Sequence, residues 1–307
     1  KAYRDDSRNI DIPIIKLSEE EWQTRLKELL VPFAYTAEDN LFHIYLFETE
    51  TSKYMFFDVA HIMGDGITMN ILFEDVNKFY CGEPVEKESY TFYEYMLEIE
   101  DKEKKGMRER DIEYIDKLMK DLKMKRSILN KKEKEDYSDG TNAVIRKRFE
   151  SLSRKEILYF CRQNSVSENV LFITAYNYCI SLFSDEKDVF CTSIHSGRTD
   201  NRWTRLAGPL FLTYYCRYNQ VPHERVTDLL HKCGKQIMET MRCYIAAPRE
   251  GEMFFQYQGD ILNINEIGGA KAEKIRLQLD SLPFHMQVMS DDKGYYTELR
   301  YWKNRFD

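Results

Sequence analysis

The stretch YMFFDVAHIMGDGITMNILFEDVNKFY, residues 54–80, decides how this chain is read. Its first half is rich in aromatic and branched side chains, the composition that strands prefer. Its second half carries Ile67, Ile71, Leu72, Val76, Phe79 and Tyr80 on one helical stripe. Between the halves stand His61, Gly64, Asp65 and Gly66. The pattern predicts a buried strand, a tight turn and a helix, with a histidine and an aspartate at the corner. CGEP, residues 81–84, then stops the helix.

Working outward, LFHIYLFETE (41–50) and KYMFFDVAH (53–61) read as the two strands of a hairpin joined near TETSK. Upstream, IDIPIIKL (10–17) reads as a strand. SEEEWQTRLKELL (18–30) reads as a helix with Ser18 as N-cap, Glu21 three residues on, and Trp22, Leu26, Leu29 and Leu30 at helical spacing. Downstream, residues 90–105 open a helical region. Residues 108–124 continue it, with Ile112, Ile115, Leu118, Met119 and Leu122 on one face. NKKEKEDYSDGTN (130–142) is charged, ends in a turn signal and reads as a linker between two units. Its KKEKED run reads as a solvated face.

The same alternation restarts beyond it. AVIRKRFESL (143–152) is a strand and SRKEILYFCRQN (153–164) a helix. SENVLFITAYNYCISLF (167–183) is a long buried helix, with a capping box expected at Ser165 and Glu168. DVFCTSIHSGR (188–198) and GPLFLTYYCRYN (208–219) are strands, and residues 226–244 a helix. Residues 252–264 and 281–302 supply the last strands, with a hairpin turn at DDKG (291–294). The chain is therefore expected to be mixed α/β material in two similar doses, residues 1–140 and 141–307. Trp203 and the aromatics of FLTYYCRY are assigned to core packing.

Composition narrows the function classes. A formal net charge of -7 argues against a general nucleic-acid binder, which needs clustered positive charge. The seven cysteines include no C-x-x-C pair, so a zinc site is not expected. Their odd count and scattered spacing fit reduced thiols better than a disulfide framework. Cys161, Cys179 and Cys191 read as small core residues. No apolar run is long enough to span a bilayer, and the opening KAYRDDSRNI is polar, so a cytoplasmic location is expected.

Histidine is the side chain best suited to moving a proton near neutral pH. Glycines on either side of Asp65 permit a tight turn that presents His61 into a cleft. The same corner aims the first N–H groups of the following helix at a developing negative charge. That combination suits acyl transfer. Taken alone, however, H-x-x-x-D-G is short, and a histidine beside a strand is more often a hydrogen-bonded structural residue. Metal binding by His61 and Asp65 lacks a third ligand at fixed spacing. His195, His231 and His285 have no supporting motif.

The residues nevertheless resemble a family. FFDVAHIMGDGITMNILFEDVNKFYCGE is similar to the H-H-x-x-x-D-G core of the condensation domains of nonribosomal peptide synthetases, within the chloramphenicol acetyltransferase-like superfamily. His61, Asp65 and Gly66 keep that core, and Ala60 replaces its first histidine. The resemblance continues in order along most of the chain. LLVPFAYTAEDNLFHIYLFE is similar to the family's Pro-Phe pair before a turn and strand. CTSIHSGRTDNRWTRLAGPLFLTYYCRYN resembles the strand ending in Ser-Gly-Arg and the following G-x-F-V-N-T-x-P-x-R. There Gly208, Phe211, Thr213 and Arg217 hold the pattern, Leu212 stands where Asn is usual, and Tyr214 to Cys216 replace Leu-Pro-Leu. GYYTELRYWKNRFD is similar to the family's late strand and its Tyr-x-x-x-Leu-Phe-Asp ending. The family's opening strand and helix have no counterpart before Lys1, so a truncated opening is expected.

The resemblance implies two chloramphenicol acetyltransferase-like lobes, each a mixed sheet packed with helices, arranged as a V around a tunnel. It implies donor and acceptor peptidyl carrier proteins as partners, each presenting a thioester on a phosphopantetheine arm, and an adenylation domain as a neighbour. No bound cofactor, metal, nucleic acid or membrane is implied. His61 would position or deprotonate the acceptor amine, and Gly66 would turn its N–H toward the thioester carbonyl. Asp65 would be structural, paired with Arg198 of Ser-Gly-Arg. In the family the first histidine mainly supports the loop, so its loss as Ala60 is compatible with activity. Amide-bond formation is the expected reaction. A non-catalytic relative that recruits other proteins and a stand-alone acyltransferase using CoA thioesters are the alternatives.

Overall fold

The computed structural model describes residues 11–36, 40–122, 142–219, 221–244, 253–259, 266–272, 275, 282–303 and 306. The chain groups into two units, Lys1–Asp65 and Gly66–Asp307. The expected linker (130–142) and the 140/141 boundary lie, except for Asn142, outside the described residues.

In the first unit, β2 (Phe42–Glu48) and β3 (Lys53–Val59) form the expected hairpin. Their register runs from Phe42↔Val59 to Glu48↔Lys53. The Thr49 N–H donates to the Ser52 carbonyl at 2.9 Å and closes the turn. The strand β1 (Ile14–Lys16) pairs parallel with β2. It is shorter than the expected 10–17, because Pro13 has no N–H to give a ladder. Its carbonyl still accepts from Leu46 N at 3.2 Å. Helix α1 (Glu19–Arg25) starts on the expected capping box: Ser18 Oγ accepts from Glu21 N, and Ser18 N donates to Glu21 Oε2 at 2.7 Å. The buried Trp22 then stacks on Tyr54 with ring centroids 4.1 Å apart and leans on Phe47 at 5.0 Å, seating the helix on the hairpin.

The second unit opens with α2 (Gly66–Tyr80), α3 (Phe92–Lys104) and α4 (Met107–Leu118). Thr91 and Glu94 form a capping box that starts α3. The helical region expected to run through to residue 124 is broken at Gly106, whose φ of 80° is left-handed and open to glycine at no steric cost. On α4 and at its C-cap, Ile115 and Met119 of the expected apolar face are buried, and Asp111 is buried as well, accepting from Tyr244 N at 2.8 Å.

The larger sheet has the order β4-β11-β10-β7-β5-β6, from β4 (Asn142–Arg148), β5 (Asp188–His195), β6 (Leu212–Asn219), β7 (Met253–Gly259), β10 (Phe284–Asp291) and β11 (Gly294–Trp302). The pairs β10–β7 and β5–β7 are parallel, and the other three are antiparallel. Asp291 and Gly294 face each other across the expected DDKG turn. A short ribbon, β8 (Glu266–Ile267) with β9 (Ala270–Lys271), forms a separate two-stranded sheet whose turn is tied to α2, as Gly268 N donates to Asn77 Oδ1 at 2.6 Å.

Helices α5 (Arg154–Gln163), α6 (Glu168–Ser184) and α7 (Val226–Thr240) supply the core. Ile173 and Ile180 of α6, with Leu230, Cys233 and Ile237 of α7, pack on Val189, Cys191, Tyr214, Cys216, Phe255 and Tyr295 of the sheet. Burying a large apolar side chain contributes roughly 1.5–3 kcal/mol, so this cluster dominates the unit. Alternate residues of β5 and β6, Phe190 and Tyr215, point the other way and meet Ile115 and Met119 of α4. Helices therefore cover both faces there, which makes the mixed α/β expectation correct.

Two further expectations need correction. The capping box is not at Ser165 and Glu168. Ser165 sits at φ 53° just past α5, and Ser167 is the N-cap of α6, accepting from Val170 N at 3.2 Å. Glu168 is then the first helical residue, and its carboxylate accepts from the Tyr295 hydroxyl instead. Cys161 and Cys191 are core residues, but Cys179 is exposed, because it lies on the outward side of α6 near Tyr178 and Leu182.

Candidate functional site

The strand–turn–helix corner lies where the sequence predicts it. The ladder of the hairpin ends as Ala60 N donates to the Leu41 carbonyl at 2.9 Å. Met63 N then donates to the Ala60 carbonyl at 2.8 Å, so His61 and Ile62 are the two central residues of a tight turn. A turn of this kind pushes its central side chains outward. His61 is exposed accordingly, and Ile62 is 62% exposed. Ala60, in the place of a histidine, is buried, as is Asp65.

Asp65 immediately precedes the first residue of α2. This is the N-cap position, where a carboxylate suits the free N–H groups and positive end of a helix. Gly66 begins α2, and neither it nor Gly64 takes a positive φ. The left-handed freedom expected of these two glycines is therefore not what the turn uses, since the helix and the turn are both satisfied by ordinary backbone angles.

The second half of the motif set is built at the end of β5. Gly197 has φ 68°, and a Cβ on it would collide with the Leu210 carbonyl oxygen. Only glycine fits there, which is the physical reason for Gly in Ser-Gly-Arg. Its N–H donates to His195 Nδ1 at 3.2 Å. Burial pushes the His195 imidazole down to about 4, so the ring is neutral and its Nδ1 free to accept. The next residue, Arg198, folds back over the loop. Its guanidinium donates to the carbonyls of Ser196 (3.0 Å), Leu206 (2.8 Å) and Gly208 (3.3 Å) and to Thr68 Oγ1 (3.4 Å). Gly208 is a second obligatory glycine, since a Cβ would run into the Phe92 ring.

The loop itself is clamped from α3. Trp203, Leu206 and Leu210 are buried with Tyr95, and Tyr95 meets Trp203 edge-on at 5.1 Å. Lys102 Nζ lies 5.1 Å from the ring centres of both Trp203 and Tyr244. Arg202 bonds Asp200 and Glu98. Hydrogen bonds from Arg202 hold the Asp200 carboxyl down at about 2. Trp203 and the FLTYYCRY aromatics are core, as expected, with Tyr214, Tyr215 and Tyr218 buried. Of the G-x-F-V-N-T-x-P-x-R positions, Arg217 grips Asp188 with two bonds and reaches the Leu118 and Lys120 carbonyls at 2.6 and 3.0 Å. Leu212, at the usual Asn position, pairs with His195 across β5–β6.

The four site residues fall in two groups. His61 and Asp65 close the first unit. Gly66 and Arg198 belong to the second, where Arg198 reaches the first turn of α2 through Thr68. Sequence reasoning missed Thr68 and set His195 aside as lacking a supporting motif. Thr68 lies two residues after Gly66, a spacing that places it in the first helical turn, and that was the available signal.

The condensation-domain family matches residues 2–244 of the chain. The chain belongs to this family. Among solved structures, this condensation-domain chain is similar to the X-domain in complex with OxyB from teicoplanin biosynthesis, at 12% identity and a TM-score of 0.80 over 99% of this chain and 74% of that one. It is also similar to the condensation domain of the monacolin K polyketide synthase MokA, at 14% identity and a TM-score of 0.77 over 96% and 74%. The epimerization domain from the third module of tyrocidine synthetase B matches at 14% and 0.74, over 96% and 74%. No curated protein matches significantly. At these identities the likeness establishes the fold. Condensation, epimerization and X-domains share it, so activity has to be argued from the site. No helix among the described residues is long and apolar enough to cross a membrane.

Proposed function

We propose that this chain is a condensation domain that forms an amide bond between two carrier-bound units. The donor is an acyl or aminoacyl thioester and the acceptor an aminoacyl thioester, each on the phosphopantetheine arm of a peptidyl carrier protein. The observation that carries this reading is the corner itself: His61 exposed on a tight turn, with Asp65 buried one residue before α2.

An α-amine deprotonates near neutral pH, with an ordinary value of about 7.7–8.0. His61 therefore has only to accept its hydrogen bond and hold the lone pair toward the thioester carbonyl carbon. Attack places negative charge on the carbonyl oxygen, which the Gly66 N–H at the start of α2 faces. Collapse breaks the C–S bond and expels the donor thiolate, which takes up the proton that leaves the amine by way of His61. Asp65 is structural: it stands at the N-cap position of α2, where a carboxylate suits the helix's first N–H groups. The reaction calls for no redox step. An adenylation domain is the expected source of the loaded acceptor, and the location is cytoplasmic.

The test is reconstitution with two separately loaded carrier proteins, reading the condensed thioester by intact mass. His61→Ala should lower turnover by on the order of 10²–10⁴-fold while carrier binding survives. Unchanged turnover would end the assignment. Replacing the acyl carrier by acyl-CoA distinguishes a stand-alone acyltransferase.

A second reading is a non-catalytic domain that recruits a partner protein. Ala60 in place of the first histidine favours it, together with the likeness to an X-domain solved with OxyB. It predicts no condensation by the unaltered chain.

A further inference from the structure

We infer that Thr68 is a positioning residue for the condensation site: its hydroxyl locks the first turn of α2, which begins at Gly66, to the Gly208 backbone and the Arg198 guanidinium. The inference rests on the condensation reading above and adds a residue to it.

The geometry is two-sided. Thr68 Oγ1 donates to the Gly208 carbonyl at 2.9 Å and accepts from the Gly208 N–H at 3.0 Å. One hydroxyl thus satisfies both backbone groups of a single residue 140 positions away. Arg198 Nη2 reaches the same hydroxyl at 3.4 Å and the same Gly208 carbonyl at 3.3 Å. Its stronger bond, 2.8 Å to the Leu206 carbonyl, anchors the guanidinium from the other side. Three segments meet at one oxygen: the helix start, the Ser-Gly-Arg turn and the 206–210 loop.

A helix start is otherwise free to shift, because its first N–H groups have no partner within the helix. The direction of the Gly66 N–H depends on where that turn is held. Thr68 sits two residues on, so a hydroxyl fixed to Gly208 fixes the turn. Gly208 cannot yield, since it already lies against the Phe92 ring, and Leu206 and Leu210 on either side are buried with Tyr95 and Trp203. The rigid side of the clasp is therefore the clamped loop, and the element it steadies is α2. Arg198 joins the same clasp through its bonds to the Gly208 carbonyl and the Thr68 oxygen.

The test uses the whole chain, with T68V and T68S beside the unaltered protein. Valine keeps the branched shape and loses the oxygen; serine keeps the oxygen. In amide hydrogen exchange, T68V should speed the Gly208 amide by on the order of fivefold to tenfold, the equivalent of one lost hydrogen bond. T68S should leave it near the unaltered rate. In the carrier-protein assay, T68V should lower kcat by roughly 10- to 100-fold, as a small misplacement of a reacting group does. KM for both carriers should stay constant, and T68S should restore kcat. A merely structural threonine would instead lower kcat and active fraction together with Tm, without rescue by serine. Unchanged Gly208 exchange in T68V, or an unchanged kcat in a protein whose turnover depends on His61, overturns the role of Thr68 alone. An unaltered chain that forms no product overturns the condensation reading, and the positioning role falls with it.

Discussion

Gly197 lies so close to Leu210 that any side chain on it would overlap the Leu210 carbonyl oxygen. This contact brings the end of β5 against the 206–210 loop, and it lets Arg198 fold back onto the carbonyls of Leu206 and Gly208. The Ser-Gly-Arg motif is thus a backbone device first and a charged site second.

Gly197→Ala should be among the most damaging single substitutions. It combines a left-handed φ of 68° with a clash against backbone that cannot rotate away. Strain of this kind costs of order 1–3 kcal/mol, with the overlap in addition. Urea unfolding should show a lower midpoint, and Arg198→Ala should have a smaller effect on stability than Gly197→Ala.

Reinstating the family's first histidine should not improve the protein. Ala60 is only 2% exposed, and its N–H and carbonyl are both committed. Ala60→His has to bring an imidazole into a buried position, at a cost of about 1–3 kcal/mol. A lower Tm with no gain in turnover is the expected outcome, measured by thermal unfolding and the carrier assay.

Acid should weaken the second unit through His195. Burial holds its imidazole down to about 4, whereas an unfolded histidine titrates near 6.5. Between those values the unfolded chain binds the extra proton, so stability is fully present above about pH 6.5 and falls as pH drops toward 4. His195→Asn keeps an acceptor for the Gly197 N–H and removes the titration. The stability of the variant should be flatter over that window, as read by urea unfolding at a series of pH values.

Arg217 should tolerate no replacement by lysine. Its fork takes both oxygens of Asp188 while a third nitrogen caps the Leu118 and Lys120 carbonyls beyond α4. An ammonium has the charge without that geometry. Arg217→Lys should cost about 1–3 kcal/mol, the price of leaving partly buried acceptors unmade. A double-mutant cycle with Asp188→Asn should show coupling between the two sites.

Much of this was legible along the chain because it depends on near neighbours. The hairpin of β2 and β3 follows from alternation and aromatic content, and α2 from its apolar stripe. The start of α1 follows from Ser18 and Glu21, three residues apart. The misreadings have one origin. Ser165 and Ser167 are both good N-caps by type, and the choice between them was made when Ser165 turned left-handed to end α5. The apolar face of α4 resembled a continuation of α3 until Gly106 broke the backbone. Cys179 has the composition of a core residue and the wrong side of the helix.

By itself the sequence determined the element types, the His61–Asp65–Gly66 corner and the membership it implies, since each is written in residues a few positions apart. Only the tertiary structure decided that Thr68 meets Gly208 and Arg198, that Gly197 must have no side chain, and that α4 and α6 cover opposite faces of β5. Those facts join residues as many as 140 positions apart. Which distant backbone group a hydroxyl or guanidinium finds depends on how the packed core closes, and no local pattern records it.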